Sequence, residues 1–121
     1  MRIVIAEQDA FTRRLLDDFL KRMDHTVVVT QDGQELFDHL QHDLTFECVI
    51  MDYVMPRMNG FEVLTLLRTK VRFNKMPFIV CTALSEMRPK IEEQGGIFVN
   101  KANLFEDLLL AFESLPKSVA A

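Results

Sequence analysis

The sequence predicts an α/β fold, a five-stranded parallel sheet of the doubly wound (βα)5 type, on three observations. Five short β-prone runs alternate with five stretches whose apolar residues recur at helical spacing. The central run is apolar enough to be a strand buried on both faces, as parallel strands are. Strict alternation also requires crossover connections, which make neighbouring strands parallel and lay helices on both faces of the sheet. A length of 121 residues suits one domain with one ample core. A single domain over 1–121 is therefore expected, with its core at about 2–115.

The first strand is the β-branched run Arg2 to Ala6, which ends in Glu7-Gln8-Asp9. Asp9 is placed to cap a helix whose apolar residues are Phe11, Leu15, Leu16, Phe19 and Leu20. Thr26 to Thr30 forms the second strand, and Asp32-Gly33 turns the chain into a helix carrying Leu36, Phe37 and Leu40. His39 and His42 lie three apart on that helix, beside Asp38 and Asp43. Without thiols or a third histidine nearby they read as solvated surface rather than a metal site.

The third and central strand is the run Glu47 to Met51, followed directly by Asp52, with Pro56, Asn59 and Gly60 as turn residues before the next helix. Read alone, Asp52 is either a functional carboxylate at a strand's carboxyl end or only a loop cap. Phe61, Val63, Leu64 and Leu67 mark the third helix, with Arg68, Lys70 and Arg72 near its end, where cations favour the dipole. Residues 77–82 make a fourth buried strand that ends on Thr82. The helix after it has only Met87 and Ile91 as larger apolar residues, and Pro89 sets its start near Arg88 or Pro89. Gly95-Gly96 opens a short strand, Ile97 to Val99, followed by Asn100-Lys101. Asn103 with Glu106 resembles a capping box for a last helix bearing Leu104, Phe105, Leu108, Leu109 and Phe112.

Composition narrows the function classes. A net charge of −4 offers no basic patch for direct nucleic-acid binding. No apolar run approaches a membrane span, and the amino terminus has no signal-peptide layout, so a cytoplasmic chain without a membrane partner is expected. Cys48 and Cys81 sit in apolar strand patterns and read as core residues rather than a disulfide. Ser118-Val119-Ala120-Ala121 reads as the possible start of a linker.

In a parallel sheet the strand ends share one edge, so Glu7, Gln8, Asp9, Asp52, Thr82 and Lys101 converge there although they span most of the chain. The acids after the first strand, Met51-Asp52-Tyr53-Val54-Met55-Pro56-Arg57-Met58-Asn59-Gly60, the Thr82-Ala83 pair and Lys101 resemble the response-regulator receiver domain of two-component signalling, over about Arg2 to Leu115.

The resemblance implies the flavodoxin-like strand order 2-1-3-4-5, for which receiver domains are a type example. It makes Asp52 the acceptor of a phosphoryl group from a phosphohistidine, with Mg2+ held by Glu7, Gln8, Asp52 and the carbonyl of Val54. Thr82 would hydrogen-bond one phosphoryl oxygen and Lys101 neutralise another, while Phe98 takes the place of the switch aromatic. The implied partners are a sensor histidine kinase or histidine phosphotransfer protein, and a downstream effector at the face of the fourth helix, fifth strand and fifth helix. Such a domain is not an enzyme beyond catalysing its own phosphoryl transfer and dephosphorylation.

Two positions depart from the family pattern. Gln8 stands where an acid contacts the metal directly, and Ala102 follows Lys101 where the family has a cis proline. A trans Lys101–Ala102 bond is expected, because cis costs a non-proline residue about 3 kcal/mol. The loss of an acid keeps a second class open, an interaction module with weak or no phosphorylation. A flavodoxin-like nucleotide or flavin enzyme is disfavoured, since no glycine-rich phosphate loop follows any strand.

Overall fold

In the computed structural model, residues 1–115 are described. The strands are β1 (Arg2–Ala6), β2 (Thr26–Thr30), β3 (Cys48–Asp52), β4 (Phe78–Thr82) and β5 (Ile97–Asn100). The helices are α1 (Ala10–Arg22), α2 (Gly33–His42), α3 (Gly60–Arg68), α4 (Arg88–Glu93) and α5 (Leu104–Glu113). All pairings are parallel, in the order β2-β1-β3-β4-β5. The expected architecture and order are both found.

Side-chain alternation divides the core into two layers. Val4 and Ala6 of β1, Val49 and Met51 of β3, and Val80 of β4 point to one face, where Leu36 and Leu40 of α2, Val63, Leu64 and Leu67 of α3, and Ile91 of α4 cover them. Ile3, Ile5, Cys48, Ile50, Ile79, Cys81 and Val99 point to the other, under Leu16 and Leu20 of α1 and Leu108 and Ala111 of α5. Every residue of β3 and β4 is buried, as a two-sided cover requires. Both cysteines are free and buried, and burial pushes their thiols up, Cys48 to about 12.

Several expected details are corrected. Phe11 was expected in the core stripe of α1 but is 72% exposed. At about 100° per residue it lies on the far side of the helix from Leu16 and Leu20. Leu15 of α1 and Leu109 of α5 are likewise exposed, since each sits about 100° from a buried leucine beside it. The capping box at Asn103 does not form: Asn103 makes no side-chain cap bond. The chain enters α5 through a 3-10 turn at Lys101–Asn103, and the Asn100 side chain accepts instead from the Ala102 N–H at 2.9 Å. The capping box lies on α3, where Asn59 and Glu62 bond reciprocally. Asp9 caps α1 as expected, and Asp32, expected only to turn the chain, also caps α2. The linker proposed at 118–121 lies outside the described residues.

Candidate functional site

Each strand delivers its last residues to one edge of the sheet. β1 ends at Ala6, so Glu7 is the first residue past it, and the Glu7 N–H still donates to Thr30 O of β2 at 3.1 Å. That bond holds Glu7 in the ladder's extension and turns its side chain inward, where it is 2% exposed. Asp52 is the last residue of β3, in register with Cys81 of β4, and Thr82 ends β4 opposite Asn100 of β5. Asp52 and Thr82 are both buried.

The loop after Asp52 is tightly shaped. The Gly60 N–H donates to Tyr53 O at 2.7 Å, and a Cβ added at Gly60 would stand 2.7 Å from Asp52 O, so only glycine fits there. Arg57, at φ +70°, is a non-glycine residue in the left-handed region, a conformation that clusters at functional loops. The Val54 N–H reaches Asp52 Oδ1 at 3.3 Å. β5 runs into Lys101, and the Asn100 N–H is pinned to Asp107 Oδ2 at 3.1 Å. The Lys101–Ala102 bond is trans, as expected.

Three of the expected residues meet directly. The Lys101 ammonium lies 3.0 Å from Asp52 Oδ2 and 2.9 Å from Glu7 Oε1, bridging two buried carboxylates with one cation. Burial, then the hydrogen bond and charge of the Glu7 carboxyl, push the Asp52 carboxyl up to about 6 against the opposing pull of Lys101. For Lys101, burial works against the charged form, but the two carboxylates outweigh it and raise its pKa. The group keeps its charge at neutral pH.

The other expected residues are placed less directly. The Thr82 hydroxyl oxygen accepts from the Leu84 N–H at 3.1 Å. Gln8 is exposed, and among the described contacts its side chain bonds neither Asp52 nor Lys101. Phe98 is half-buried, with the Arg88 guanidinium carbon 5.4 Å from its ring centroid. The Glu7 carboxylate also accepts from the Asp9 N–H at 3.1 Å, while Asp9 Oδ2 is taken by the N–H and hydroxyl of Thr12.

Sequence reading missed Arg13, whose guanidinium donates to Glu7 O at 2.8 Å and so holds the turn that carries the acid. A cation one helical turn past the Asp9 cap was the only available signal. No helix among the described residues is long and apolar enough to cross a membrane.

Residues 3–111 match the family model of the response regulator receiver domain. The response regulator RR06 of Streptococcus pneumoniae is 34% identical over 86 residues, which cover 71% of this chain and 38% of that protein. A chemotaxis protein CheY homolog of Campylobacter jejuni is 29% identical over 83 residues, 68% of this chain and 64% of the relative. This chain thus spans less than two thirds of either.

Among solved structures, the response regulator TrrA of Thermotoga maritima, in complex with Mg2+ and BeF, aligns with a TM-score of 0.83 and 24% identity over 95% of this chain and 98% of that one. The chemotaxis response regulator CheY4 of Vibrio cholerae aligns with a TM-score of 0.82 and 22% identity, covering 93% and 95%. Family model, relatives and fold agree: the chain belongs to the response regulator receiver domain family.

Proposed function

We propose that this chain is the phosphoacceptor module of a two-component phosphorelay, a single cytoplasmic domain over 1–121 with its core at about 2–115. In this reading Asp52 accepts a phosphoryl group from a phosphohistidine on a sensor histidine kinase or histidine phosphotransfer protein. A downstream effector reads the result at the face formed by α4, β5 and α5. The observation that carries the reading is the Lys101 ammonium held between the buried carboxylates of Asp52 and Glu7.

A carboxylate oxygen of Asp52 attacks phosphorus, the P–N bond breaks, and the imidazole leaves with its electron pair. Lys101 already donates to Asp52 and neutralises charge gathering on the transferred group. The Thr82 hydroxyl, whose oxygen accepts from Leu84, keeps its proton to donate to a phosphoryl oxygen. Phe98 is the aromatic expected to move with it. The module turns over no separate substrate beyond its own phosphoryl transfer and dephosphorylation.

The donor set suits a hard divalent cation: the carboxylates of Glu7 and Asp52, the amide oxygen of Gln8 and the carbonyl of Val54. Among the described residues, Asp52 Oδ1 accepts the long bond from the Val54 N–H at 3.3 Å and has lone-pair capacity to spare. Bound there, Mg2+ would offset the repulsion between an anionic nucleophile and an anionic phosphoryl group.

A second reading, an interaction module that signals with weak or no phosphorylation, draws on the exposed, uncharged Gln8 and on Asp9 being tied to Thr12. Among the described residues no group of three or more His, Cys, Asp or Glu side chains is assembled to hold a metal. Peptide mapping after treatment with acetyl phosphate and magnesium tests the proposal. The phosphoryl group is expected on the peptide containing Asp52, and finding it on Asp9 or Asp43 instead would overturn the assignment.

A further inference from the structure

Helix α4 is the least anchored helix of the fold, and its two ends are built differently. At the amino end the cap residue, Met87, makes no side-chain bond, and the first turn holds no acid. Arg88 places a cation at the positive end of the helix dipole, where it is unfavourable, and its guanidinium is drawn along the helix to Glu92 Oε1 at 2.8 Å. Ile91 is the one buried residue of the helix, and Met87 ahead of it is only partly buried against the same core.

The carboxyl end is closed. The Gly96 N–H donates to Ile91 O and the Gly95 N–H to Glu92 O, both at 2.9 Å, with Gly95 at φ +76°. This is a Schellman turn, and it satisfies carbonyls that a helix end otherwise leaves open. Arg68, the last residue of α3, locks it in place. Its Nε donates to Gln94 O and its Nη2 to Gly95 O, each at 3.0 Å. Its Nη1 reaches the opposite way, to Phe73 O at 2.6 Å and Met76 O at 2.8 Å, and the guanidinium lies over the Phe78 ring at 4.8 Å. One side chain therefore ties the end of α4 to the end of α3 and to the loop that enters β4. Its positive charge also faces the negative end of the α4 dipole.

We infer that Arg68 is the fixed pivot of α4, and that this helix opens and moves from its amino end about a carboxyl end held by the guanidinium. The free end is also the end nearest the site. Leu84, just ahead of the 3-10 turn Ser85–Met87 that leads into α4, gives its N–H to the Thr82 hydroxyl. A group that draws on that hydroxyl therefore acts on the end of α4 that is free to respond. This last link rests on the proposed phosphoacceptor role, whereas the pivot does not.

The test uses the whole unphosphorylated chain, so the pivot is judged independently of whether Asp52 is ever modified. Backbone 15N relaxation is measured from Leu84 to Gly96, with Ile79 and Val80 of β4 as the rigid reference. Microsecond-to-millisecond exchange is expected several-fold larger over 84–88 than over 94–96. In Arg68→Lys, which keeps the charge but cannot fork to four carbonyls, exchange is expected to spread to 94–96 while Ile79 and Val80 stay quiet. Gly95→Ala, which strains the turn and leaves Arg68 in place, is expected to loosen the same three residues. Uniform behaviour from 84 to 96 in the unmodified sequence, or a quiet 94–96 in both variants, would overturn the inference.

Discussion

Strand β1 begins in one ionic cluster and ends in another, and the two differ in how much water they keep. At its start, Arg2 donates to Asp43 at 2.7 Å and to the Thr45 hydroxyl at 2.8 Å, with side-chain exposures of 32% for Arg2 and 29% for Asp43. The hydrogen bonds from Thr45, then the Arg2 guanidinium, hold the Asp43 carboxyl well below the usual range. At its end, one cation faces two carboxylates that are 5% and 2% exposed, and burial drives the Asp52 carboxyl the opposite way. Both clusters set a cation against carboxyls, and at the buried end lost solvation together with the second carboxyl, Glu7, decides the outcome. The first cluster is a relaxed surface tie. The second holds two carboxyls out of water at some cost to the fold.

Removing the cation at each end should break the two clusters unequally. Lys101→Met leaves two buried carboxyls without their cation and is expected to cost about 2 to 4 kcal/mol, the usual penalty for a stranded buried charge less a discount for the partly solvated lysine. Arg2→Ala should cost under about 1 kcal/mol, as exposed ion pairs do. Urea denaturation at neutral pH measures both. Equal losses would dissolve the contrast.

The next effect concerns sign. An aspartate raised to about 6 in the folded chain, against an ordinary value near 3.8, binds more protons folded than unfolded between those two pH values. Its contribution to stability is therefore largest below about pH 4 and is lost as pH rises through about 6. Asp52→Asn removes that loss and is expected to be more stable than the parent at pH 8 without metal, by about 1 to 3 kcal/mol. Asp43, held low, should show the reverse trend, so Asp43→Asn brings no gain at pH 8. Thermal melts of both variants at pH 4 and pH 8 check the signs. A destabilised Asp52→Asn at pH 8 would mean that the ion pair outweighs burial.

A smaller change is expected at Gln8. Adding a carboxylate about 4 Å from a cation is worth roughly 4 kcal/mol per unit charge at an effective dielectric near 20, before desolvation is charged against it. Gln8→Asp is accordingly expected to tighten magnesium binding by about tenfold, or roughly 1.4 kcal/mol. Calorimetric titration of both proteins gives the answer. Equal affinities would place position 8 away from the metal and withdraw it from the donor set.

How much of this was readable in the chain follows from which forces are local. The sheet was legible because period-two and helical patterns are written in neighbouring residues, whereas the apolar run before Asp52 left it either a functional carboxylate or a loop cap, and only the family resemblance favoured the first. The convergence of Glu7, Asp52 and Lys101 on one sheet edge followed from those patterns, but the bond from Lys101 to Glu7 did not, since which side chains pair there is set by packing. Asn103 misled because a sequence motif cannot say whether a 3-10 turn will intervene before the helix, and here Asn100 took over the capping. Phe11 misled because it shares a helical face with Leu15, whereas the buried stripe runs through Leu16 and Leu20. Arg68 read as a cation favouring its own helix's dipole, yet its partners are carbonyls from two other segments.

The central claim is that Asp52 is a phosphoacceptor, and intact mass tests it most directly. The chain and Asp52→Asn are each weighed before and after incubation with acetyl phosphate and magnesium. One added phosphoryl group is expected on the unmodified sequence and none on the variant. No mass change on the unmodified sequence at saturating magnesium, or the same gain on both proteins, would contradict it.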